Sequence, residues 1–135
     1  MQIEEAIKSI HNLDITTKTV VNMMYTSRII EEVIVGVLKQ YGLSSPQYNV
    51  LRILRGQNGN PANLSTLQDR MIDKNSNTTR LVDKLIKKGW VKRNVCELNR
   101  RKIEIFITDD GLKILKKLDP IIEHNNKNIL SNLSI

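Results

Sequence analysis

The chain has 135 residues, 21 Lys and Arg against 14 Asp and Glu for a formal charge of +7, and one cysteine, Cys96. That length suits one compact unit with a real core, and the basic excess suits a polyanionic partner such as nucleic acid or an anionic surface. A single cysteine excludes an internal disulfide framework and fits a reducing cytoplasm, while 4% aromatic residues argue against a base-stacking platform for single strands.

The opening MQIEEAIKSIHNL is acidic and lacks a basic stretch followed by an apolar one, so it does not read as a secretory signal. No transmembrane run is expected, and no membrane partner. Ile3, Ile7, Ile10 and Leu13 form a short amphipathic helix pattern. Apolar residues then recur at helical spacing from Ile15 through Val20, Met24, Ile29, Ile30, Val33, Ile34, Val37 and Leu38 to Tyr41, with Gly42 as a C-cap. This predicts one long helix, apolar around more of its girth than one packing face needs, so another chain or the C-terminal segment should cover part of it.

LSSPQYNVLRILRG predicts a shorter helix with Ser45 as N-cap, Pro46 at the first position and Gly56 as the stop. GQNGNPAN is a loop. Asn63 caps a third helix, LSTLQDRMI, with Leu64, Leu67 and Met71 facing inward, and Asp73 is expected to cap a fourth in which Leu81, Val82, Leu85 and Ile86 face inward until Gly89. The period then drops to two: WVKRNV and the stretch with Ile103, Ile105 and Ile107 predict an antiparallel strand pair around a turn holding Glu97 to Arg101. Thr108 or Asp109 caps a last helix, interrupted at Pro120 because proline has no N–H to donate. No repeat, low-complexity tract or linker divides the chain.

The fold class expected is therefore mainly α with a small antiparallel β-hairpin wing, a winged helix-turn-helix unit with further helices at both ends. In such a unit the second short helix enters the major groove, where short polar residues in its first turns can approach base edges. Ser76, Asn77, Thr78, Thr79 and Arg80 meet that need, and Lys84, Lys87 and Lys88 follow at helical spacing for phosphates. The same residues could be ordinary capping chemistry and a solvated face; the order of capped helix, turn, this helix and a basic hairpin is what favours DNA.

SNTTRLVDKLIKKGWVKR followed by NRRKIEIFITDDGLKIL resembles the MarR family of bacterial transcription regulators. Ser76, Thr79, Arg80, Val82, Asp83 and Leu85 fill its Ser-x-x-Thr-Arg-x-Val-Asp-x-Leu helix; Gly89, Val91 and Arg93 fill its strand; Thr108 and Gly111 fill its Thr-x-x-Gly helix start. YGLSSPQYNVLRIL matches the family's second-helix entry, and the resemblance runs from about residue 15 onward. The resemblance implies one domain over 1-135, with about 1-42 and 110-135 as a helical dimerisation region and about 43-109 as the DNA-binding lobe. It implies a homodimeric repressor, on a pseudo-palindromic operator with half-sites about one helical turn apart. The sequence supports dimerisation separately, because Ile114, Leu115, Leu118, Ile121, Ile122, Ile129, Leu130 and Leu133 are too apolar for a solvated tail.

At the wing the family usually carries an acidic residue before its basic pair, where this chain has Asn99 before Arg100 and Arg101. Asn offers a neutral hydrogen bond where Asp could form an ion pair; either arginine suits a narrow, negative minor groove. The family commonly binds small aromatic or phenolic effectors in a crevice between dimerisation helices and DNA-binding lobe, for which Met24, Tyr25, Arg28 and Tyr48 are the candidates here, although helical Met and Tyr also serve simply as packing.

No catalytic residue, cofactor or metal site is expected. Cys96, in or beside the first wing strand, lies outside the N-terminal helical region where the family's oxidant-sensing members carry their cysteine. His11 and His124 lack ligands at metal spacing, adjacent Glu31 and Glu32 point in different helix directions, and no phosphate loop or nucleophile elbow occurs. A second reading, from another class, is a winged-fold protein-interaction module without sequence-specific DNA binding.

Overall fold

The computed structural model describes residues 2–99 and 101–131. Among these described residues, six helices and one hairpin follow in the order α1 Ile3–Ala6, α2 Ile15–Lys39, α3 Ser45–Arg55, α4 Leu64–Arg70, α5 Thr78–Lys87, β1 Val91–Val95, β2 Ile103–Ile107 and α6 Asp109–Ser131. The expected fold class holds. α1 is shorter than the apolar spacing suggested: its single turn buries Ile3, and the ion pair Lys18–Glu4 at 3.3 Å ties it to α2, leaving Ile10 and Leu13 beyond its end.

Local chemistry corrects three expected boundaries. Ser44, not Ser45, caps α3, because Gln47 three residues on returns its side chain to the Ser44 N–H (3.1 Å) while Ser44 Oγ accepts from Gln47 N–H (3.2 Å), a closed capping box. Pro46 is then the second helical residue. Asn77, not Asp73, caps α5 by accepting from Arg80 N–H at 3.1 Å. The Asp73 carboxylate is occupied four residues earlier, accepting from Asn75 N–H at 3.0 Å in a separate tight turn. Asn63 caps α4 as expected, accepting from Thr66 N–H at 2.7 Å, although the helix ends at Arg70 with Met71 buried just past it. α6 runs through Pro120 without the expected interruption; its packing against α2 and α3 holds both halves in one helix, outweighing the one lost backbone bond.

The core collects one face of every element of the lobe: Val50, Leu51 and Leu54 of α3, Leu67 of α4, Val82 and Leu85 of α5, Val91 and Ile105 of the hairpin, and Leu115 and Leu118 of α6, with Leu38 from α2. Register pairs Val91 with Ile107, Arg93 with Ile105 and Val95 with Ile103, so the inner face is apolar except at Arg93. Only the base of the wing is covered; Val95 and Ile103 lie exposed toward the tip. Ala62 adds a third rung, exchanging both backbone hydrogen bonds with Ile105 at 2.8 and 2.9 Å, which fixes the hairpin to the α3–α4 loop.

α2 behaves differently. Of its 25 residues only Leu38 is fully buried, while Ile15, Val20, Met23, Met24, Ile29 and Val35 are exposed. α6 continues the same imbalance, with Leu115, Leu118 and Ile122 buried but Leu130 exposed; Leu133 and Arg100 lie outside the described residues.

The hairpin, α5 and α6 meet at Trp90. Thr108 N–H donates to the Trp90 carbonyl at 3.0 Å, Thr108 Oγ1 donates to the Gly89 carbonyl at 2.7 Å and caps α6 by accepting from Gly111 N–H at 3.1 Å. A Cβ on Gly111 would lie 2.3 Å from the Trp90 carbonyl oxygen and 2.7 Å from Ile107 Cγ1. That is a backbone obstacle which cannot rotate away. Gly111→Ala is therefore expected to destabilise the fold by about 1–3 kcal/mol through overpacking, despite alanine's higher helix propensity; urea unfolding followed at Trp90 measures it, and an unchanged midpoint would refute the close approach.

Candidate nucleic-acid interface

α5 has two chemically opposite faces. Val82 and Leu85 are buried, with Leu81 and Ile86 packed against the core, while Thr79, Arg80, Lys84 and Lys87 are exposed. The spacing of Arg80, Lys84 and Lys87 places them along one side of the helix. Asn77 is exposed at the N-terminal end, where its side chain holds the first turn. Three bases within ten residues, on a helix anchored by its opposite face, give a rigid cationic ridge.

Three residues expected on that ridge are elsewhere. Thr78 is only 5% exposed and its hydroxyl donates to the Gln68 side-chain oxygen on α4. It is the first helical residue on the core side, and the Gln68 amide also donates to the Lys74 carbonyl at 3.0 Å, so Gln68 fixes the whole α4–α5 turn. Lys88 turns away from the ridge, its ammonium donating to the Gly42 carbonyl and lying 5.2 Å from the centroid of the Trp90 ring. Ser76 precedes the helix, half-buried, with its Oγ enclosed and without a hydrogen-bond partner. A shallow depression of about 310 Å³ runs beside the ridge, lined by Pro46, Asp73, Ser76, Asn77, Arg80 and Lys84 among others.

The wing is braced against α5 by the ion pair Arg93–Asp83 at 3.0 Å. Both partners are well exposed, so the pair orients the hairpin more than it stabilises the fold. At the tip, Asn99 Oδ1 accepts from Arg101 N–H at 3.1 Å, and Lys102 N–H donates to the Asn99 carbonyl at 2.9 Å. The neutral amide thus orders the turn through the backbone, with Arg101 exposed next to it. Lys92 covers the Phe106 ring at 5.3 Å on the outer face of the hairpin.

A larger crevice of about 820 Å³ opens between α2, α3 and the segment after α4. Met24, Arg28 and Tyr48 line it as expected, whereas Tyr25 does not: one residue further round α2, it faces another direction. The sequence reading missed Arg52, Met71 and Ile72. Arg52 was findable, since it lies one helical turn after Tyr48 on α3, and its guanidinium stands 5.8 Å from the Tyr48 ring centroid. Asn49 Oδ1 accepts from Ile72 N–H at 2.9 Å, fastening the crevice floor to the segment that leads into α5. Arg28 is already paired with Glu32 at 3.2 Å.

Burial raises the Tyr48 phenol above its usual value, Arg52 opposing this and Asp119 adding to it. A tyrosine whose folded pKa exceeds its unfolded one binds more protons when folded, so its contribution is complete below about pH 10 and is lost as pH climbs past that value. Stability should therefore fall above pH 10, and Tyr48→Phe should flatten that part of the profile; equal alkaline slopes for both chains would contradict it.

Among the described residues, no group of three His, Cys, Asp or Glu is placed to hold a metal ion, and no helix is long and apolar enough to cross a membrane. Cys96 is a half-buried free thiol. His11 and His124 are exposed, His124 Nε2 lying 3.2 Å from Asn128 Nδ2 one turn on.

Comparison with known proteins agrees with this geometry. A family model described as MarR family matches residues 43–103. The HTH-type transcriptional regulator PecS of Dickeya dadantii is 29% identical over 126 residues, 91% of this chain and 75% of that protein. The transcriptional repressor MprA of Escherichia coli K12 is 28% identical over 66% of this chain, which spans half of that protein's length (50%). Among solved structures, a MarR transcription factor from Planctomyces limnophilus superposes with a TM-score of 0.77 at 29% identity, covering 90% of this chain and 87% of that one.

Proposed function

This chain belongs to the MarR family of transcription regulators, and from that premise we propose that it is a homodimer that binds a pseudo-palindromic stretch of double-stranded DNA and represses by occupying a promoter. The observation that carries this reading is the α5 ridge, in which Arg80, Lys84 and Lys87 are exposed over a buried apolar face. Ten helical residues rise about 15 Å, a length suited to the major groove. In that pose Asn77, Thr79 and Arg80 approach base edges and Lys84 and Lys87 meet phosphates. Arg101, with Asn99 ordering its turn, enters the flanking minor groove as a shape-reading cation. Thr78 and Lys88 have no direct part in this reading, and Ser76 contributes only as part of the depression beside the ridge.

Dimerisation rests on the apolar surface that α2 and the end of α6 leave uncovered. An α2 with one fully buried residue is a poor monomeric helix. In this reading the regions of about 1-42 and 110-135 join two protomers, and the lobe of about 43-109 engages DNA. The crevice suits a small aromatic or phenolic effector: Met24, Met71 and Ile72 offer apolar contact, Tyr48 a ring, and Arg52 a polar tip, with the carboxylates of Glu31, Glu32 and Asp73 also on its lining. Occupancy would press on the Ile72 segment and so on the entry to α5.

Selecting duplexes from a random pool tests the core of the proposal. The recovered motif should show two related half-sites about one helical turn apart, and sedimentation should find a dimer alone and on DNA. Arg80→Ala is expected to lose about 1–3 kcal/mol of discrimination at one base position, whereas Lys84→Met weakens every duplex and lowers the salt slope by about one. Recovery of no duplex above random DNA would replace this reading with the interaction module.

A further inference from the structure

Both α2 and α5 end in the same way. After α2, Gly42 adopts φ +71° and Leu43 N–H reaches back to the Leu38 carbonyl at 3.1 Å. After α5, Gly89 adopts φ +79° and Trp90 N–H reaches back to the Leu85 carbonyl at 3.1 Å. Each is a left-handed glycine closure that satisfies the last helical carbonyls and turns the chain sharply. The carbonyl of Gly42 is left outside the first closure, and Lys88, the C-cap of α5, donates its ammonium to it.

We propose that Lys88 is a positioning residue for DNA binding, a clamp that joins the C-terminal ends of the long helix and the recognition helix, and not a phosphate contact. The inference rests on the DNA-binding reading above and adds the device that sets the angle of α5 relative to α2. One ammonium stands at the partly negative ends of two helix dipoles, which favours a cation at both. The ring of Trp90 supplies a third attraction at 5.2 Å. The three groups belong to three different segments, the α2–α3 turn, α5 and the start of the hairpin, so holding the ammonium in place holds all three together. Lys84 and Lys87 have no such partner among the described hydrogen bonds and ion pairs, which leaves them available to an external anion. Another tie between helices is Arg55–Asp119 at 2.8 Å, from α3 to α6. With α3 and α6 so joined, release of Lys88 would let α5 swing about its N-terminal anchor at Gln68 and Thr78.

The test compares Lys88→Met, which keeps the aliphatic stem without the charge, with Lys88→Arg and Lys84→Met, on a duplex selected with the parent chain. Affinity is measured across salt concentrations, and Trp90 emission, from the chain's one tryptophan, is recorded without DNA. A positioning clamp predicts that Lys88→Met binds about tenfold more weakly at every salt concentration with the parent's slope, that Lys88→Arg recovers most of the loss, and that the Lys88→Met emission spectrum differs from the parent's. Lys84→Met instead lowers the slope by about one. A slope lowered likewise by Lys88→Met would make Lys88 a phosphate contact and overturn the clamp. Unchanged affinity in Lys88→Met, with only a lower melting temperature, would overturn it too, by showing a merely stabilising role. A parent that binds no duplex overturns the DNA-binding reading and this inference together; a parent that binds while Lys88→Met matches it overturns this inference alone.

Discussion

The peptide unit of Trp90 is the joint on which the lobe depends. Its N–H closes α5 onto the Leu85 carbonyl, its carbonyl accepts from Thr108 at the start of α6, and its neighbour Val91 begins the wing. Gly111 permits α6 to lie against it, because any Cβ there would meet the same carbonyl oxygen. α5, the hairpin and α6 therefore take their mutual angles from one residue's backbone. Side-chain packing around Leu85, Ile105 and Leu115 then fills the space that this backbone arrangement defines. The Thr-x-x-Gly pattern at residues 108 to 111 is the sequence trace of the joint: threonine to cap and to hold Gly89, glycine to make room.

A second constraint runs through α2. A helix of this length gains little from propensity in isolation and needs tertiary contact to hold it. The chain supplies such contact chiefly at its C-terminal end, around Leu38, where it meets α3 and α6. The remainder of α2 carries apolar residues on more than one side, several of them exposed. The crevice lies where α2 leaves the lobe, so its volume depends on how α2 is held further along. Short links join the crevice and the end of α2 to α5: Asn49 to Ile72 on one side and Lys88 to Gly42 on the other.

What the sequence showed and what it hid divide along physical lines. Periodicity located α2 to α6 and the hairpin, because burial imposes a period of 3.6 or 2 wherever one face meets a core. Boundaries were less legible where several residues could cap. Ser44 and Ser45 are equally good caps by type, and only the return of Gln47 decides between them. Asp73 and Asn77 are both good caps, and the tight turn at Asn75 decides. Pro120 marked an interruption by its chemistry, yet neighbouring turns of α6 hold through it. Among the site residues, Arg80, Lys84 and Lys87 were legible as an exposed row. Thr78 and Lys88 were not, since their partners Gln68 and Gly42 lie 10 and 46 positions away, and no local pattern encodes such a pairing. Tyr25 fell away from the crevice by one residue's rotation about the helix axis.

The wing shows how a substitution in a motif can be absorbed. An acidic residue before the basic pair could pre-order the tip through an ion pair, which is strong but depends on salt. Asn99 orders the same turn through a hydrogen bond from the Arg101 backbone, and the Arg101 side chain is exposed beside it. The bracing that an acid would have supplied at the tip is found lower down, where Asp83 on α5 holds Arg93 on β1. The Asp83–Arg93 pair thus adds a side-chain brace to the backbone joint at Trp90, so that α5 and the hairpin are tied at two points.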